Sequence, residues 1–317
     1  MANNKKLKVF IDGQHGTVGL QIRERLKDRP ELQIIEIENS LKKDIEEKRK
    51  ILNQSDIVFL CLPDAVAKES VSLITNPDVK VLDGSTAHRI DNKWVYGIPE
   101  LNKTQRSTIR ESKRITVPGC YASGFILPMH PLVSKGIVPS DYPVSTYAIT
   151  GYSGGGKEMI ASYKENKDSE DYSCRPKNLN LTHKHLPEMQ KYGLLDNKPI
   201  FTPIVGNFYK GMLVFIPLYK NLLQKNLNQT NLIEFYKEYY KDENFINIFD
   251  KELIKTIDSD FISPGSNNNT NNLDILVFEN DEQFLIVSRL DNLGKGASGA
   301  AVQNMNLLID VPENTGL

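Results

Sequence analysis

The first 120 residues alternate short β-like runs with helix-like stretches, and a glycine-rich turn follows the first run. Lys8–Asp12 (Lys-Val-Phe-Ile-Asp) reads as a buried strand. Within Thr17–Lys27, Val18, Ile22 and Leu26 recur at i, i+4 and i+8, one apolar stripe of an amphipathic helix. Leu32–Glu38 reads as a second strand, Leu41–Asn53 as a charged helix and Asp56–Leu62 as a third strand ended by Pro63. Ala65–Ile74 then suits a helix and Val79–Asp83 another strand. Strands joined through helices form right-handed βαβ units and line up in parallel, so the pattern predicts an α/β, Rossmann-like domain.

The turn itself is Gly13-Gln14-His15-Gly16-Thr17-Val18-Gly19. At a strand–helix junction, glycines let the backbone turn sharply and bring its N–H groups and the positive end of the helix up to a pyrophosphate. The G-x-x-G-x-x-G spacing is one residue longer than the usual dinucleotide fingerprint in its first interval, while Gly16 and Gly19 keep the usual one. All seven residues are therefore candidate cofactor contacts, with His15 a loop residue or phosphate hydrogen-bonder rather than a catalyst. A glycine-rich turn without ligand is the plainer alternative, and the placement after the first strand argues against it. Glu38 stands about where an acidic residue grips the ribose 2′-hydroxyl of NAD, whereas Ser40, Lys42 and Lys43 follow at once and suit a 2′-phosphate. These residues leave NAD and NADP open.

The character changes near Cys120. Ser145–Gly151 and Lys210–Leu218 read as longer strands, and Ile275–Phe278 is close enough to Phe284–Leu290 to pair antiparallel. An α+β domain follows, with a sheet face exposed to a partner subunit. Ser263–Asn272, with five asparagines, is predicted as a loop. Ala297–Leu308 reads as a last helix after a Gly-Lys-Gly turn. A chain of 317 residues accommodates two domains. Their bounds are drawn at 1–120, rejoined by a C-terminal helix at 297–317, and at 121–296 for a catalytic and oligomerisation domain.

Composition removes other classes. Lys plus Arg is 39 and Asp plus Glu is 40, a net charge of −1 that makes no electrostatic case for nucleic acid or an anionic membrane. Lys42–Lys50 is a run of mixed charge and reads as a solvated helix face. The polar N-terminus is no signal peptide. The longest apolar runs, near Ile57–Leu62 and Met212–Pro217, are far short of the ~20 residues that span a bilayer. Three scattered cysteines provide neither a disulfide framework nor a zinc site, and a reduced cytoplasmic compartment is the simplest expectation.

Cys120 lies in Thr-Val-Pro-Gly-Cys-Tyr-Ala-Ser-Gly (116–124), a run that feeds a helix N-terminus at the cysteine. The helix dipole and first-turn N–H groups stabilise a thiolate there and can hold a developing oxyanion. Cys61, inside the third strand, reads as a small buried apolar residue, and Cys174 as a residue of a polar loop. A thiol nucleophile needs a proton-transfer partner. His183 and His185 stand together in His-Lys-His-Leu-Pro-Glu, with Glu188 placed to orient one of them or the substrate. As a metal pair on a strand they lack further ligands at suitable spacing, so no metal is expected. His88 and His130 have no such context. A nicotinamide site, a cysteine and a histidine together point to acyl-phosphate or aldehyde redox chemistry through a thioester.

These motifs resemble those of the N-acetyl-γ-glutamyl-phosphate reductases of arginine biosynthesis, particularly the shorter subtype. The resemblance rests on IDGQHGTVGL at 11–20, CLPD at 61–64, LDGSTAHR at 82–89 and VPGCYASGFILPMHPL at 117–132. It continues through ITGYSGGGK at 149–157, HKHLPE at 183–188 and LDNLGKGASGAAVQNMN at 290–306. It implies an NADP-dependent homo-oligomeric enzyme that reduces N-acetyl-L-glutamyl 5-phosphate to the semialdehyde and releases phosphate. Cys120 would be the nucleophile, His183 or His185 the acid–base, and Gly13 to Gly19 the pyrophosphate cradle. Lys295 and Gly296 would approach the nicotinamide, and Ser153 to Gly156 would lie beside the cysteine. Candidate partners for the substrate's carboxylate and phosphate are Arg114, Lys157, Arg175, Lys184 and Lys210. The rival readings are an aspartate-semialdehyde dehydrogenase, which shares the expected chemistry, and a non-catalytic dinucleotide sensor.

Overall fold

A computed structural model describes residues 6–41, 44–250, 252–253 and 261–317. Contacts divide the chain into two compact units, Met1–Pro118 with Ala297–Leu317, and Gly119–Gly296. In the first, β1 (Leu7–Asp12), β2 (Leu32–Ile35), β3 (Ile57–Leu60), β4 (Lys80–Asp83), β5 (Val95–Tyr96) and β6 (Arg114–Thr116) form one sheet. Their order is β2-β1-β3-β4-β6-β5, and every neighbouring pair is parallel. Alternate side chains of each strand go to opposite faces, and both faces are covered. Val9, Ile11, Phe59 and Leu82 pack with Ile22 and Leu26 of α1 (Thr17–Leu26), Ile109 of α4 (Gln105–Glu111) and Val302 and Met305 of the last helix, α9 (Gly299–Leu308). Phe10, Val58, Leu60 and Val81 pack with Ile51 and Leu52 of α2 (Ile45–Gln54) and Ala67 of α3 (Asp64–Ser72). The α/β, Rossmann-like expectation is met.

Several boundaries differ from the sequence reading, and two of them lie near the glycine turn. β2 stops at Ile35, so Glu38 lies beyond the strand. The charged helix starts at Ile45 rather than Leu41, because the Asp44 carboxylate accepts from the N–H groups of Glu46 at 2.9 Å and Glu47 at 3.2 Å and caps it there. Lys42 and Lys43, two of the residues suited to a 2′-phosphate, lie outside the described residues, as do the first five of the polar N-terminus.

The second unit carries β7 (Ser145–Gly151), β8 (Cys174–Pro176), β9 (Ile200–Gly206), β10 (Met212–Tyr219), β11 (Ile246–Ile248), β12 (Leu273–Glu279) and β13 (Gln283–Leu290). They form a mixed sheet in the order β11-β12-β13-β10-β7-β9-β8. The expected antiparallel pairing of β12 with β13 is present. The helices of this unit are α5 (Cys120–Ser134), α6 (Gly156–Glu165), α7 (Leu186–Gly193) and α8 (Gln229–Tyr239). α5 packs on β10, β13 and α7, and α8 packs on β12.

α5 is buried from Tyr121 to Leu132 yet contains Pro128 and Pro131. Each proline removes the N–H that would bond the carbonyl four residues earlier, which orphans Gly124 O and Leu127 O in the interior. The fold replaces both donors: Ser288 Oγ donates to Gly124 O at 2.6 Å, and the Tyr240 hydroxyl donates to Leu127 O at 2.5 Å. The helix that begins at Cys120 is thereby tied to β13 and to the chain just after α8.

Candidate active site

Cys120 is the first residue of α5 and is half-buried. Gly119 is the N-cap and offers no side chain to the first turn, so that turn's N–H groups face outward beside the thiol. The Glu188 carboxylate, 1% exposed, accepts from the Gly119 N–H at 3.2 Å and pins the backbone that carries the cysteine. Glu188 sits in the first turn of α7, whose N-cap is His185. The segment holding the two histidines is therefore a turn into a helix, not a strand. His183 and His185 are both buried, and their rings meet edge-on at 4.6 Å. His183 Nδ1 accepts from the His185 N–H at 3.1 Å, which assigns the proton of a neutral His183 to Nε2. Both rings rest on Tyr121, the residue after the cysteine, at 5.3 and 5.7 Å. Burial, and then the neighbouring Cys120 charge, hold the Tyr121 phenol well above its usual range.

A second arm closes on the cysteine from the turn before α9. Gly294–Ser298 forms a π-helical turn, and a Cβ at Gly296 would lie 2.6 Å from Cys120 Cβ, so only glycine fits without moving Cys120. Asp291, 1% exposed, holds this turn: its carbonyl accepts from Gly294 and Gly296, and its carboxylate accepts from Leu293 N at 2.9 Å and Asn269 N at 2.7 Å. Lys210 pairs with the same carboxylate at 3.3 Å. Asn292 bridges Gly211 N at 2.8 Å and Ser153 Oγ at 3.0 Å. The asparagine-rich loop is a loop, as expected, and it buttresses this turn. Lys295 is 3% exposed, with Nζ 5.4 Å from the Phe245 ring centre.

The expected phosphate contacts separate into three groups. Lys210 is taken by Asp291 and Asn269. Arg114 opens β6 in the first unit, where its guanidinium donates to the Val79 carbonyl at 2.7 Å, at the strand's amino end. Lys157 and Lys184 are exposed, and Arg175 lies over the Tyr172 ring at 4.4 Å. Lys177, which the sequence reading missed, comes within electrostatic reach of Cys120. Burial pushes its ammonium pKa down, the Cys120 charge holds it up and Lys184 pushes it down. No spacing signal links Lys177 to Cys120, because its place is set by β8 pairing with β9. Cys174 is an exposed member of that edge strand rather than of a loop.

In the first unit, the glycine turn fits a dinucleotide pyrophosphate. Gly13 has φ +90°, and a Cβ there would collide with the Cys61 carbonyl, as one at Gly19 would with the Gly13 carbonyl. Gly16 N donates to Gly13 O at 2.9 Å, and α1 starts at Thr17 with neither a side-chain cap nor an acidic residue in its first turn. The backbone N–H groups there suit an anion. Gln14 is buried and His15 exposed, while Ser40 is exposed on the short 3₁₀ turn Asn39–Leu41. His88, at the end of the β4 edge, bonds Asp83 at 2.6 Å and stacks on Trp94. Among the described residues, no three His, Cys, Asp or Glu side chains group as a metal site, and no helix is long and apolar enough to cross a membrane.

Residues 8–109 match the family described as semialdehyde dehydrogenase, NAD binding domain, and residues 120–292 match semialdehyde dehydrogenase, dimerisation domain. The same architecture is found in aspartate semialdehyde dehydrogenase II from Vibrio cholerae, with a TM-score of 0.72 at 17% identity over 96% of this chain and 99% of that one. Fold and site together thus define an oxidoreductase of the semialdehyde dehydrogenase class with a nicotinamide-dinucleotide domain. The N-acetyl-gamma-glutamyl-phosphate reductase of Trichormus variabilis is 42% identical over 98% of this chain and 99% of its own length. That of Chelativorans sp. is 43% identical over 95% and 98%. The chain belongs to the N-acetyl-gamma-glutamyl-phosphate reductase family.

Proposed function

We propose that this enzyme reduces N-acetyl-L-glutamyl 5-phosphate to N-acetyl-L-glutamate 5-semialdehyde with NADP(H) as hydride carrier, as a cytoplasmic step of arginine biosynthesis. The observation that carries this reading is Cys120 at the first position of α5, with His183 and His185 packed on the adjoining Tyr121. One imidazole takes the Cys120 proton, and the thiolate attacks the acyl carbon. The C–S bond forms, the carbon–oxygen bond to phosphate breaks, and the imidazole returns its proton to the departing phosphate. First-turn N–H groups of α5 stabilise the oxyanion, and the Lys177 ammonium suits the phosphate. When bound, the nicotinamide supplies a hydride for the thioester carbon. The thiohemiacetal alkoxide then collapses to the aldehyde and regenerates the Cys120 thiolate, which takes up a proton from solvent. Glu188 keeps the cysteine's backbone in place throughout by its bond to Gly119 N.

The chain is expected to work as a homo-oligomer through the sheet face of the second unit that bears Tyr147 and Phe215. The test of the reaction is phosphate-dependent reduction of NADP by N-acetylglutamate semialdehyde, in parallel with aspartate semialdehyde, for wild type and Cys120→Ala. Activity on the acetylglutamyl substrate, reduced at least ~10³-fold in the variant, is the expected result. Activity on aspartate semialdehyde alone, or an active Cys120→Ala enzyme, refutes the proposal.

A further inference from the structure

Phe201 on β9 ties the sheet of the second unit to the candidate active site: its ring meets Tyr121 at 5.0 Å and His183 at 5.1 Å. Side chains directly opposite each other in an antiparallel ladder lie on one face, and every second residue of a strand returns to it. Pro203 and Val205 therefore share the face of Phe201, and all three are buried. β8 runs antiparallel beside them with Arg175 opposite Val205, and the Lys177 N–H continues the ladder by donating to the Pro203 carbonyl at 3.0 Å. Lys177 and Arg175 are thus set one and two steps from Phe201 on that same face, about 7 Å apart along the strand. Among the described residues neither cation has a carboxylate partner. Arg175 is exposed, yet its guanidinium is held: it lies over the Tyr172 ring at 4.4 Å, and the Tyr172 hydroxyl is bonded to Ser162 Oγ at 2.9 Å. Burial raises the Tyr163 phenol and the Arg175 charge draws it down, which puts the guanidinium beside that hydroxyl as well. A guanidinium over a ring keeps its N–H edge for a planar anion.

The substrate of the proposed reaction carries two anions, the phosphate on its acyl carbon and an α-carboxylate. In an extended glutamyl chain the acyl carbon and the carboxylate carbon are about 5 Å apart, with the phosphate further still. That span matches the step from Lys177 to Arg175. A lysine suits a phosphate as a point charge, whereas the arginine fork pairs bidentately with a carboxylate. We propose that Arg175 is a specificity-determining residue of this enzyme, binding the α-carboxylate of the N-acylated glutamyl substrate while Lys177 faces the phosphate. A free α-ammonium at the same carbon would come against the guanidinium as a like charge, and acylation of the nitrogen removes that charge. The cation therefore selects for a carboxylate beside an uncharged nitrogen, and against aspartate semialdehyde, whose nitrogen is charged. The inference rests on the proposed reaction, with Cys120 as its nucleophile.

The experiment follows phosphate-dependent reduction of NADP by the full chain with two aldehydes, N-acetylglutamate semialdehyde and 4-acetamidobutanal, which is the same molecule without its carboxylate. Wild type, Arg175→Gln, Arg175→Lys and Lys177→Gln are compared. The readout is the ratio of kcat/KM for the two aldehydes, which a general loss of activity does not move. Wild type is expected to favour the aldehyde that bears the carboxylate. Arg175→Gln is expected to lower that preference by about 10- to 100-fold, through KM for the acetylglutamyl substrate and with KM for phosphate unchanged. Arg175→Lys should recover part of it, since the charge remains and the fork is lost. Lys177→Gln should raise KM for phosphate and keep the ratio. A wild-type ratio in Arg175→Gln, whether activity is kept or lost equally on both aldehydes, or a ratio lowered by Lys177→Gln instead overturns the assignment. Folded wild-type protein that is inactive on N-acetylglutamate semialdehyde overturns the proposed reaction itself, and the inference with it.

Discussion

At the residue scale, the three thiols show how position sets reactivity. Cys61 follows β3 with its carbonyl against Gly13, and burial, with Asp12 and Asp83 nearby, pushes its thiol up to about 12. A raised thiol pKa keeps the group neutral at every pH below that value, so at pH 8 only on the order of 10⁻⁴ of it is thiolate. Cys174 is exposed on an edge strand. Cys120 has a helix N-terminus and a nearby ammonium. Iodoacetamide labelling followed by peptide mass spectrometry should find Cys120 modified fastest at pH 7, the exposed Cys174 more slowly, and Cys61 unlabelled through pH 9. Labelling of Cys61 at the rate of Cys174 would contradict this picture. The placement of Cys120 at a helix start was legible in sequence because a helix start is a local property. Lys177 was not, because its neighbour is made by strand pairing.

At the element scale, the turn Gly294–Ser298 matters through one missing side chain. Replacing Gly296 with Ala puts a methyl 2.6 Å from Cys120 Cβ, inside any real contact distance, and the atom it meets cannot swing away. The turn is held by buried Asp291, so the cysteine must yield. Gly296→Ala should lower kcat by about 100-fold, the usual scale for displacing a reacting group by ~1 Å. Its Tm should stay within a few degrees of wild type, and the Cys120 alkylation rate should change in step with kcat. An enzyme with wild-type kcat would show that the two segments are not in contact. Element ends were the least legible part of the chain. The alternation Leu-Gln-Ile-Ile-Glu-Ile-Glu (32–38) describes extended backbone equally well whether or not a neighbour pairs with it. The ladder to β1 ends at Ile35, three residues before the end that the alternation describes.

At the scale of the whole molecule, the sheet of the second unit is covered by helices on one face and leaves apolar side chains on the other. Tyr147 on β7 is 36% exposed and stacks on Phe215 of β10 at 4.7 Å, and both lie on the same face by register. A second copy packed there would bury them. Wild type should sediment as a dimer or larger at micromolar concentration. Tyr147→Arg, which places charge in the middle of that face at a partly exposed position, should shift it toward monomer with unchanged circular dichroism. A wild type that sediments only as monomer would refute the assembly.

Some of this protein was decided by local pattern alone. Alternating strand and helix periodicities, the glycines after β1 and the Pro-Gly-Cys helix start each follow from backbone sterics over a few residues, so the α/β class, the glycine turn and a cysteine at a helix start were readable without coordinates. The rest was decided by tertiary packing. Only folding brings Glu188 to Gly119, Gly296 to Cys120, Glu36 to Arg23 and Gln14, and Ser288 and Tyr240 to the carbonyls that two prolines orphan. Those pairs are separated in sequence by up to 176 positions in the case of Gly296 and Cys120, and no local pattern records which distant group satisfies which buried donor, acceptor or void.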